Sequence, residues 1–80
     1  MIREDIFGNY PQISHTSYID DTAILIGNIV VGENVYIGPN VVIRADEIDD
    51  NYRVGKIIIK DRAVIYDGSI INTIGASQIT

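Results

Sequence analysis

Few side chains in this sequence could do chemistry, and they do not form a complete catalytic pattern. His15 is the only histidine and there is no cysteine, which excludes a thiol nucleophile, a disulfide and a thiolate metal site. A lone histidine at a chain corner is typically a solvated surface residue, and we interpret His15 in that way. The glycine-rich motifs that cradle phosphates do not occur.

Two acidic features could serve a reaction or a cation. Asp46 and Asp67 could act as an acid and base pair. We expect Arg44 between them, however, and therefore favour a structural ion network. A denser acidic run that could attract a hard cation such as calcium consists of Asp46, Glu47, Asp49 and Asp50. We interpret this run as the solvated charge of a loop.

The elements that must position these residues follow from a six-residue repeat. Neither a helix, with its period of 3.6, nor a strand, with its period of two, explains this spacing. A short fixed period with one apolar residue per unit predicts a solenoid whose coils stack on one another. The aliphatic positions in step are Ile13, Ile19, Leu25, Val31, Ile37 and Ile43, and later Ile59, Ile65 and Ile71.

The rest of each hexad supports an all-β solenoid. The fifth place is small or β-branched, so places one and five are both expected to point inward, and the corner between them holds Gly, Asn or Asp, which tolerate a positive φ. With three hexads in a coil, residues eighteen apart lie one strand spacing from each other. The fifth places are Ser17, Ala23, Ile29, Val35 and Val41.

One insertion interrupts the repeat and divides the single domain into segments. We predict a lead-in over residues 1–12, regular coils over 13–46, an inserted loop over 47–56, a further coil over 57–74 and a ragged end over 75–80. We interpret the loop as a spacer at one corner, although long loops on rigid scaffolds often carry function. An open coil end with unpaired strand edges is expected after residue 74.

The predicted register creates two apolar columns on the outside of the solenoid. One consists of Ile24, Val42 and Ile70, and we interpret it as an interface because exposed apolar patches mark association sites. The other consists of Tyr18, Tyr36 and Val64. A chain of 80 residues has a thin core and is marginal alone, so we expect a homo-oligomer.

The charge and hydropathy exclude several partners and favour one compartment. A net charge of −5 argues against nucleic acid and anionic membranes, which attract basic surfaces. No aliphatic run approaches the roughly 20 residues needed to span a bilayer. We expect a cytoplasmic protein, because cysteine is absent and the first residues are acidic and form no apolar signal region.

Two motifs accompany the hexads: an Arg-x-Asp after the fifth repeat, at Arg44 and Asp46, and a downstream Asp-Gly at Asp67 and Gly68. With these motifs, residues 13–72 resemble the gamma-class carbonic anhydrase family of the hexapeptide-repeat superfamily. The resemblance implies a left-handed parallel β-helix assembled as a trimer. It also implies a zinc or iron ion held by three histidines between subunits, whose bound hydroxide attacks carbon dioxide.

The resemblance also assigns positions in this chain. Arg44, Asp46 and Asp67 correspond to residues that make charged contacts near the subunit boundary. Tyr66 takes the place of a glutamine that hydrogen-bonds metal-bound solvent in many members, and Asn72 takes the place of the first histidine ligand. By the predicted register, Arg44 and Asn72 are neighbours on one face.

The predicted function follows from the departures from the family pattern at Tyr66 and Asn72. An amide is a poor metal ligand beside imidazole, and one histidine cannot make a three-histidine site. We therefore predict no cofactor and a non-catalytic structural or assembly module, which the resemblance implies is a trimer. The alternatives are a truncated piece of a metal-dependent carbonic anhydrase, which the ragged end favours, and a hexapeptide acyltransferase, which would need a histidine base near its acceptor.

Overall fold

The computed structural model describes residues 1–80 and contains eleven β-strands and no helix. The strands are short because each is one side of a coil. In chain order they are β1 (Ile2–Arg3), β2 (Gln12–Ile13), β3 (Tyr18–Ile19), β4 (Ile24–Gly27), β5 (Ile29–Val31), β6 (Tyr36–Ile37), β7 (Val42–Glu47), β8 (Lys56–Ile59), β9 (Val64–Ile65), β10 (Ile70–Ile74) and β11 (Gln78–Ile79).

Three parallel sheets form the sides of the solenoid. Sheet A has the order β1-β4-β7-β10, sheet B the order β11-β8-β5-β2 and sheet C the order β3-β6-β9. Successive strands along the chain fall on different sheets, so that each coil visits all three sides. The fold is a left-handed parallel β-helix, 34 × 20 × 18 Å in extent, which confirms the predicted fold class.

The pairing confirms the predicted register of eighteen residues. Ile24 pairs with Val42 and Tyr18 with Tyr36. Across the insertion the interval grows by ten, so that Val42 pairs with Ile70 and Tyr36 with Val64. Both predicted outer columns therefore exist as aligned rows of side chains, and Tyr18 and Tyr36 stack with ring centroids 5.4 Å apart.

The core lies inside the solenoid at places one and five of the hexads, as predicted, with Ala45 at place three as the one exception. A continuous row of aliphatic side chains there excludes water, which is the main favourable term in folding. The cluster consists of Ala23, Leu25, Ile29, Val31, Val35, Ile37, Val41, Ile43, Ala45, Ile57, Ile59 and Ile65.

The corners confirm the expected turn chemistry with one exception. Asn34 and Asn40 adopt positive φ angles of 56° and 58°, which asparagine tolerates better than most residues. Their backbone N–H groups donate to hydroxyl oxygens one coil earlier, on Thr16 and Thr22. Arg62 also has a positive φ, of 64°, where the hexad pattern predicts Gly, Asn or Asp.

The loop boundaries differ slightly from the prediction. β7 extends to Glu47 and β8 begins at Lys56, so the inserted loop covers residues 48–55. This loop is held against the last turn of the chain, because the Gly75 N–H donates to the Glu47 carbonyl oxygen and the Lys56 N–H to that of Ser77.

The chain's end is a strand, and the prediction of a ragged segment over 75–80 is wrong. β11 pairs in parallel with β8, and Ile79 packs against the core opposite Ile57. Strict counting of hexads from Ile71 would place Gly75 opposite Ile57 and Ser77 at the next inward position. The turn at Gly75, with φ of 62°, lengthens this coil, so Ile79 lies opposite Ile57 instead.

The start of the chain belongs to the solenoid as well. β1 pairs with β4 at the edge of sheet A, so the predicted lead-in over 1–12 supplies one side of the first coil. A turn follows, built on the buried Asp5, whose carboxylate accepts hydrogen bonds from the backbone N–H groups of Phe7 and Asn9 and from the Asn9 side chain.

Candidate functional site on sheet A

Arg44 and Asn72 are cross-strand neighbours on the outer face of sheet A, as the register predicts. Arg44 in β7 pairs with Asn72 in β10 and, on its other side, with Ile26 in β4. Arg3 in β1 aligns with Ile26. Two arginines and an amide thus share one row of the solenoid surface.

Arg44 and Asp46 form a two-bond ion pair within one strand. Residues two apart in a strand point to the same face, which brings Arg44 Nε to 2.9 Å from Asp46 Oδ1 and Nη2 to 3.0 Å from Oδ2. The hydrogen bond from Arg44 lowers the pKa of Asp46, with burial opposing the shift and the charge of Arg3 adding to it. Asp46 is therefore ionised at neutral pH and committed to its neighbour.

Asn72 is hydrogen-bonded to Glu47, a partner that the hexad register does not predict. The Asn72 side-chain amide donates to Glu47 Oε1 over 2.8 Å. A register shift between Asn72 and Ile74 places Ile74, rather than Gly75, beside Glu47. Sequence spacing carries no signal of this irregularity, which is why the contact was missed.

Tyr66 and Asp67 lie at the corner between β9 and β10, and the structure does not join them to the Arg44 pair. Tyr66 is exposed. Asp67 packs over Gly38, where an added Cβ would lie 2.4 Å from Asp67 Oδ1. The ion pairs of the chain are Arg44–Asp46 and Arg53–Asp49. Within one chain, therefore, the predicted network of Arg44 between Asp46 and Asp67 is wrong, because Asp67 serves a different corner.

The remaining candidate residues, His15 and Asp49, lie in a surface turn and in the inserted loop. His15 is exposed in the turn between β2 and β3, away from the sheet A strands that carry Arg44 and Asn72. Asp49 accepts hydrogen bonds from the backbone N–H groups of Asn51 and Arg53 and from Arg53 Nε. These bonds lower the pKa of Asp49 and fold the loop on itself.

The residues present do not fit the three-histidine zinc or iron site that the resemblance implies. No three His, Cys, Asp or Glu side chains converge in the chain. The position assigned to the first ligand holds an amide whose N–H₂ group donates to a carboxylate, which leaves Asn72 oriented as a hydrogen-bond donor. The chemistry that this face can offer is electrostatic pairing and apolar contact.

We predict that Arg44→Met will raise the pKa of Asp46. Because its pKa is lowered in the folded state, the Asp46 carboxylate stabilises the fold at any pH above the ordinary aspartate pKa. This stabilisation is lost as the pH falls through the lowered pKa of the folded state. The variant should therefore lose less stability between neutral and acidic pH than the wild type does. Carboxyl NMR titration and urea unfolding at both pH values measure the two effects.

Arg53→Met provides the matched control for this prediction. The first cause of the lowered pKa of Asp49 is the backbone N–H of residue 53, which the substitution keeps. The pKa of Asp49 should consequently move less than that of Asp46. Equal shifts at the two sites would contradict the assignment of the Asp46 shift to the Arg44 side chain.

Comparison with known proteins supports the hexapeptide-repeat reading. Residues 10–45 match the family model described as bacterial transferase hexapeptide (six repeats). The chain is 34% identical over 65 residues to the carnitine operon protein CaiE of Proteus sp. (strain LE138), a match covering 81% of this chain and 29% of that protein. Against CaiE of Escherichia coli (strain K12 / DH10B) the identity is 35% over 65 residues, covering 81% and 30%.

The chain spans less than a third of the length of these curated relatives. No solved structure matches it significantly. The chain has no helix long and apolar enough to cross a membrane.

Proposed function

We propose that this chain is a cytoplasmic, non-catalytic assembly module of the gamma-carbonic-anhydrase type, which works as a trimer. The observation that carries the proposal is the state of Asn72. At the position where an enzyme of that class needs an imidazole, the chain has an amide that donates to Glu47 over 2.8 Å. This bond ties β10 to the end of β7, so the position serves cohesion of the coils.

The ligand chemistry supports a module without a metal. Catalytic zinc needs three nitrogen, sulfur or oxygen ligands arranged around one open position. Asn72 points its donor group at a carboxylate, Asp46 is held by two bonds from Arg44, and the single histidine lies in a different corner. A hydroxide nucleophile cannot be generated at neutral pH without the cation that lowers the pKa of water.

The outer face of sheet A supports the assembly role. Ile24, Val42 and Ile70 form an aligned apolar column, and Ile70 and Ile74 are largely exposed on the same face. Burying such surface against another copy is favourable by roughly 25 cal/mol per Å². The Arg44–Asp46 pair lies beside the column and supplies the charged rim that gives an interface its register.

We predict that Val42→Asp will dissociate the trimer to a species of 8.9 kDa, because it places an unpaired carboxylate in the centre of the apolar column. Val64→Asp is the matched control, since it makes the same change on sheet C. Sedimentation equilibrium should give three times 8.9 kDa for the wild type and for the control. A trimeric Val42→Asp variant would show that sheet A is not the contact face.

The absence of catalysis is tested separately. Mass spectrometry of the metals should find well under one zinc or iron ion per chain in protein that was purified without chelators. Its rate of carbon dioxide hydration should equal the uncatalysed rate and should not rise when zinc, iron or cobalt is added. Stoichiometric metal together with hydration activity would overturn the non-catalytic assignment.

Acyl transfer is a second candidate, favoured by the match of residues 10–45 to a transferase hexapeptide model. Such a reaction needs a base within hydrogen-bond reach of the acceptor hydroxyl, and His15 is the only imidazole available. This candidate predicts acetyl-CoA turnover that is lost in His15→Ala. Absence of turnover leaves the assembly module as the better account, whereas turnover that does not depend on His15 would overturn the non-catalytic assignment.

A further inference from the structure

All strands of sheet A run in the same direction, which gives its outer face two different margins. The strands begin at the apolar column of Ile24, Val42 and Ile70, so this column lies along the starting margin. At the opposite, ending margin β4 ends at Gly27 and β7 at Glu47. The two margins carry different residues, so a surface that fits one of them does not fit the other.

The turn after β1, residues 5–9, presents two apolar side chains to solvent, and we call it the Ile6–Phe7 turn. Ile6 is 70% exposed and Phe7 is 51% exposed. Ile6 lines a hollow of about 160 Å³ together with Ile26 and Asp46, which lie near the ends of β4 and β7. The turn therefore stands at the ending margin of sheet A, across the face from the apolar column.

Hydrogen bonds hold the Ile6–Phe7 turn in one shape. The buried Asp5 carboxylate accepts from the backbone N–H groups of Phe7 and Asn9 over 2.8 and 2.9 Å. The Asp5 N–H donates to the Asn9 carbonyl oxygen, and the Gly8 N–H donates to the Asp5 carbonyl oxygen. Because the turn is already ordered, binding through Ile6 and Phe7 has a small entropy cost.

A cyclic trimer needs two different patches on each copy. In a two-fold dimer a patch can face itself, but the contact in a three-fold ring is heterologous, so the column of one copy meets a different surface of the next. When the outer faces of sheet A are turned to the three-fold axis and the solenoids lie parallel to it, the starting margin of each copy lies beside the ending margin of its neighbour.

We propose that the Ile6–Phe7 turn of one copy packs against Ile24 and Val42 of the next copy, and that this contact repeats around the ring. It rests on the proposed trimer and supplies the second half of its interface. The heights along the solenoid agree, because β1, which leads into the turn, pairs with β4, which begins at Ile24. Both contacting surfaces are apolar and exposed in the single chain, and the ring covers them together.

The row of Tyr18, Tyr36 and Val64 on sheet C is the rival surface, and it suits the column less well. The Tyr18 hydroxyl donates to Asp20 Oδ1 over 2.8 Å. Asp20 is ionised at neutral pH, since hydrogen bonds from Thr22 and Tyr18 lower its pKa. Packing this row against an apolar column would bury that charge without a partner cation, which is costly. The side chains of Ile6 and Phe7 have no polar atom.

Engineered disulfides give the first test, because the chain has no cysteine of its own. In the double variant Phe7→Cys with Ile24→Cys, mild oxidation should join the copies into covalent trimers on a denaturing gel. A bond within one chain would have to span the length of β4, roughly 10 Å at about 3.3 Å per residue, which exceeds the roughly 7 Å limit between bridged Cα atoms.

The two single variants are the controls for the cross-link. Neither Phe7→Cys nor Ile24→Cys alone should give covalent trimers. When the two are mixed and allowed to exchange subunits, each mixed ring contains one junction between a cysteine at residue 7 and a cysteine at residue 24. Oxidation of the mixture should therefore give covalent dimers and no covalent trimers.

A charge on the turn gives the second test. Phe7→Asp should reduce the mass in sedimentation equilibrium from three times 8.9 kDa to 8.9 kDa, because it places a carboxylate against the apolar column of the next copy. Tyr52→Asp is the matched control, since Tyr52 is an exposed aromatic residue of the inserted loop, and this variant should stay trimeric. Circular dichroism checks the fold, and the cysteine variants decide the matter if Phe7→Asp is unfolded.

The results separate failure of this contact from failure of the trimer. A trimeric wild type whose double cysteine variant gives no covalent trimers, or whose folded Phe7→Asp variant stays trimeric, would overturn the assignment of the Ile6–Phe7 turn and leave the trimer standing. Dissociation of Val64→Asp would transfer the second half of the interface to sheet C. A wild type that sediments at 8.9 kDa would overturn the trimer and this contact together.

Discussion

Ile43→Ala is expected to lower the free energy of unfolding by about 2–5 kcal/mol, the range for isoleucine truncated in a core. Ile43 is fully buried in β7, between Leu25 in β4 and Ile71 in β10. The backbone ladders of three adjacent coils hold these neighbours in place, so the cavity cannot collapse. Because the free energy of unfolding of a small domain is only about 5–15 kcal/mol, this loss removes a large part of the stability.

Urea unfolding followed by circular dichroism measures this loss. Val64→Ala is the control, since Val64 lies on an outer face and is exposed, and its truncation should cost well under 1 kcal/mol. A similar loss at both positions would mean that the interior of the solenoid contributes no more than its surface. That outcome would contradict the core assigned to places one and five of the hexads.

Gly55→Ala is expected to cost about 1–3 kcal/mol, the range for overpacking a tight site. A Cβ at residue 55 would lie 2.5 Å from the Ser77 carbonyl oxygen, 2.5 Å from Thr73 Cγ2 and 3.0 Å from the Gly75 carbonyl oxygen. Two of these atoms belong to the backbone, so the last turn would have to move. The variant should detach the 48–55 loop from the turn that precedes β11.

Amide hydrogen exchange distinguishes this mechanism from a general loss of stability. In Gly55→Ala the Lys56 amide, which donates to the Ser77 carbonyl oxygen, should exchange faster than amides of the central coils. Gly68→Ala is the control, because Gly68 has φ of +73° but no atom within 4 Å of an added Cβ. It should cost about 1 kcal/mol through backbone strain alone, without selective exchange at Lys56.

The repeat made most of the fold predictable. An apolar residue at every sixth position, with asparagine or glycine at corners, leaves few ways to bury a continuous row other than winding the chain into coils. The eighteen-residue interval then determines which side chains align, so the Ile24–Val42–Ile70 column and the Arg44–Asn72 neighbours could be predicted without coordinates. The insertion of ten residues disturbs neither alignment, because the inserted loop leaves the solenoid at a corner and the chain re-enters at that corner.

The irregular places were not predictable, because their geometry depends on contacts between distant residues. The turn at Gly75 lengthens the last coil and gives Ile79, rather than Gly75, the inward position opposite Ile57. The register shift after Asn72 brings Glu47 to its amide. Asp67 turns to Gly38 and away from Arg44 because the missing side chain at residue 38 leaves room for its carboxylate.

Hydrophobic periodicity, a local property of the sequence, thus determined the all-β solenoid, its register and its outward rows. Tertiary structure alone decided which polar groups meet, because a hydrogen bond depends on tenths of an ångström and on the bulges and turns that move a side chain by such distances.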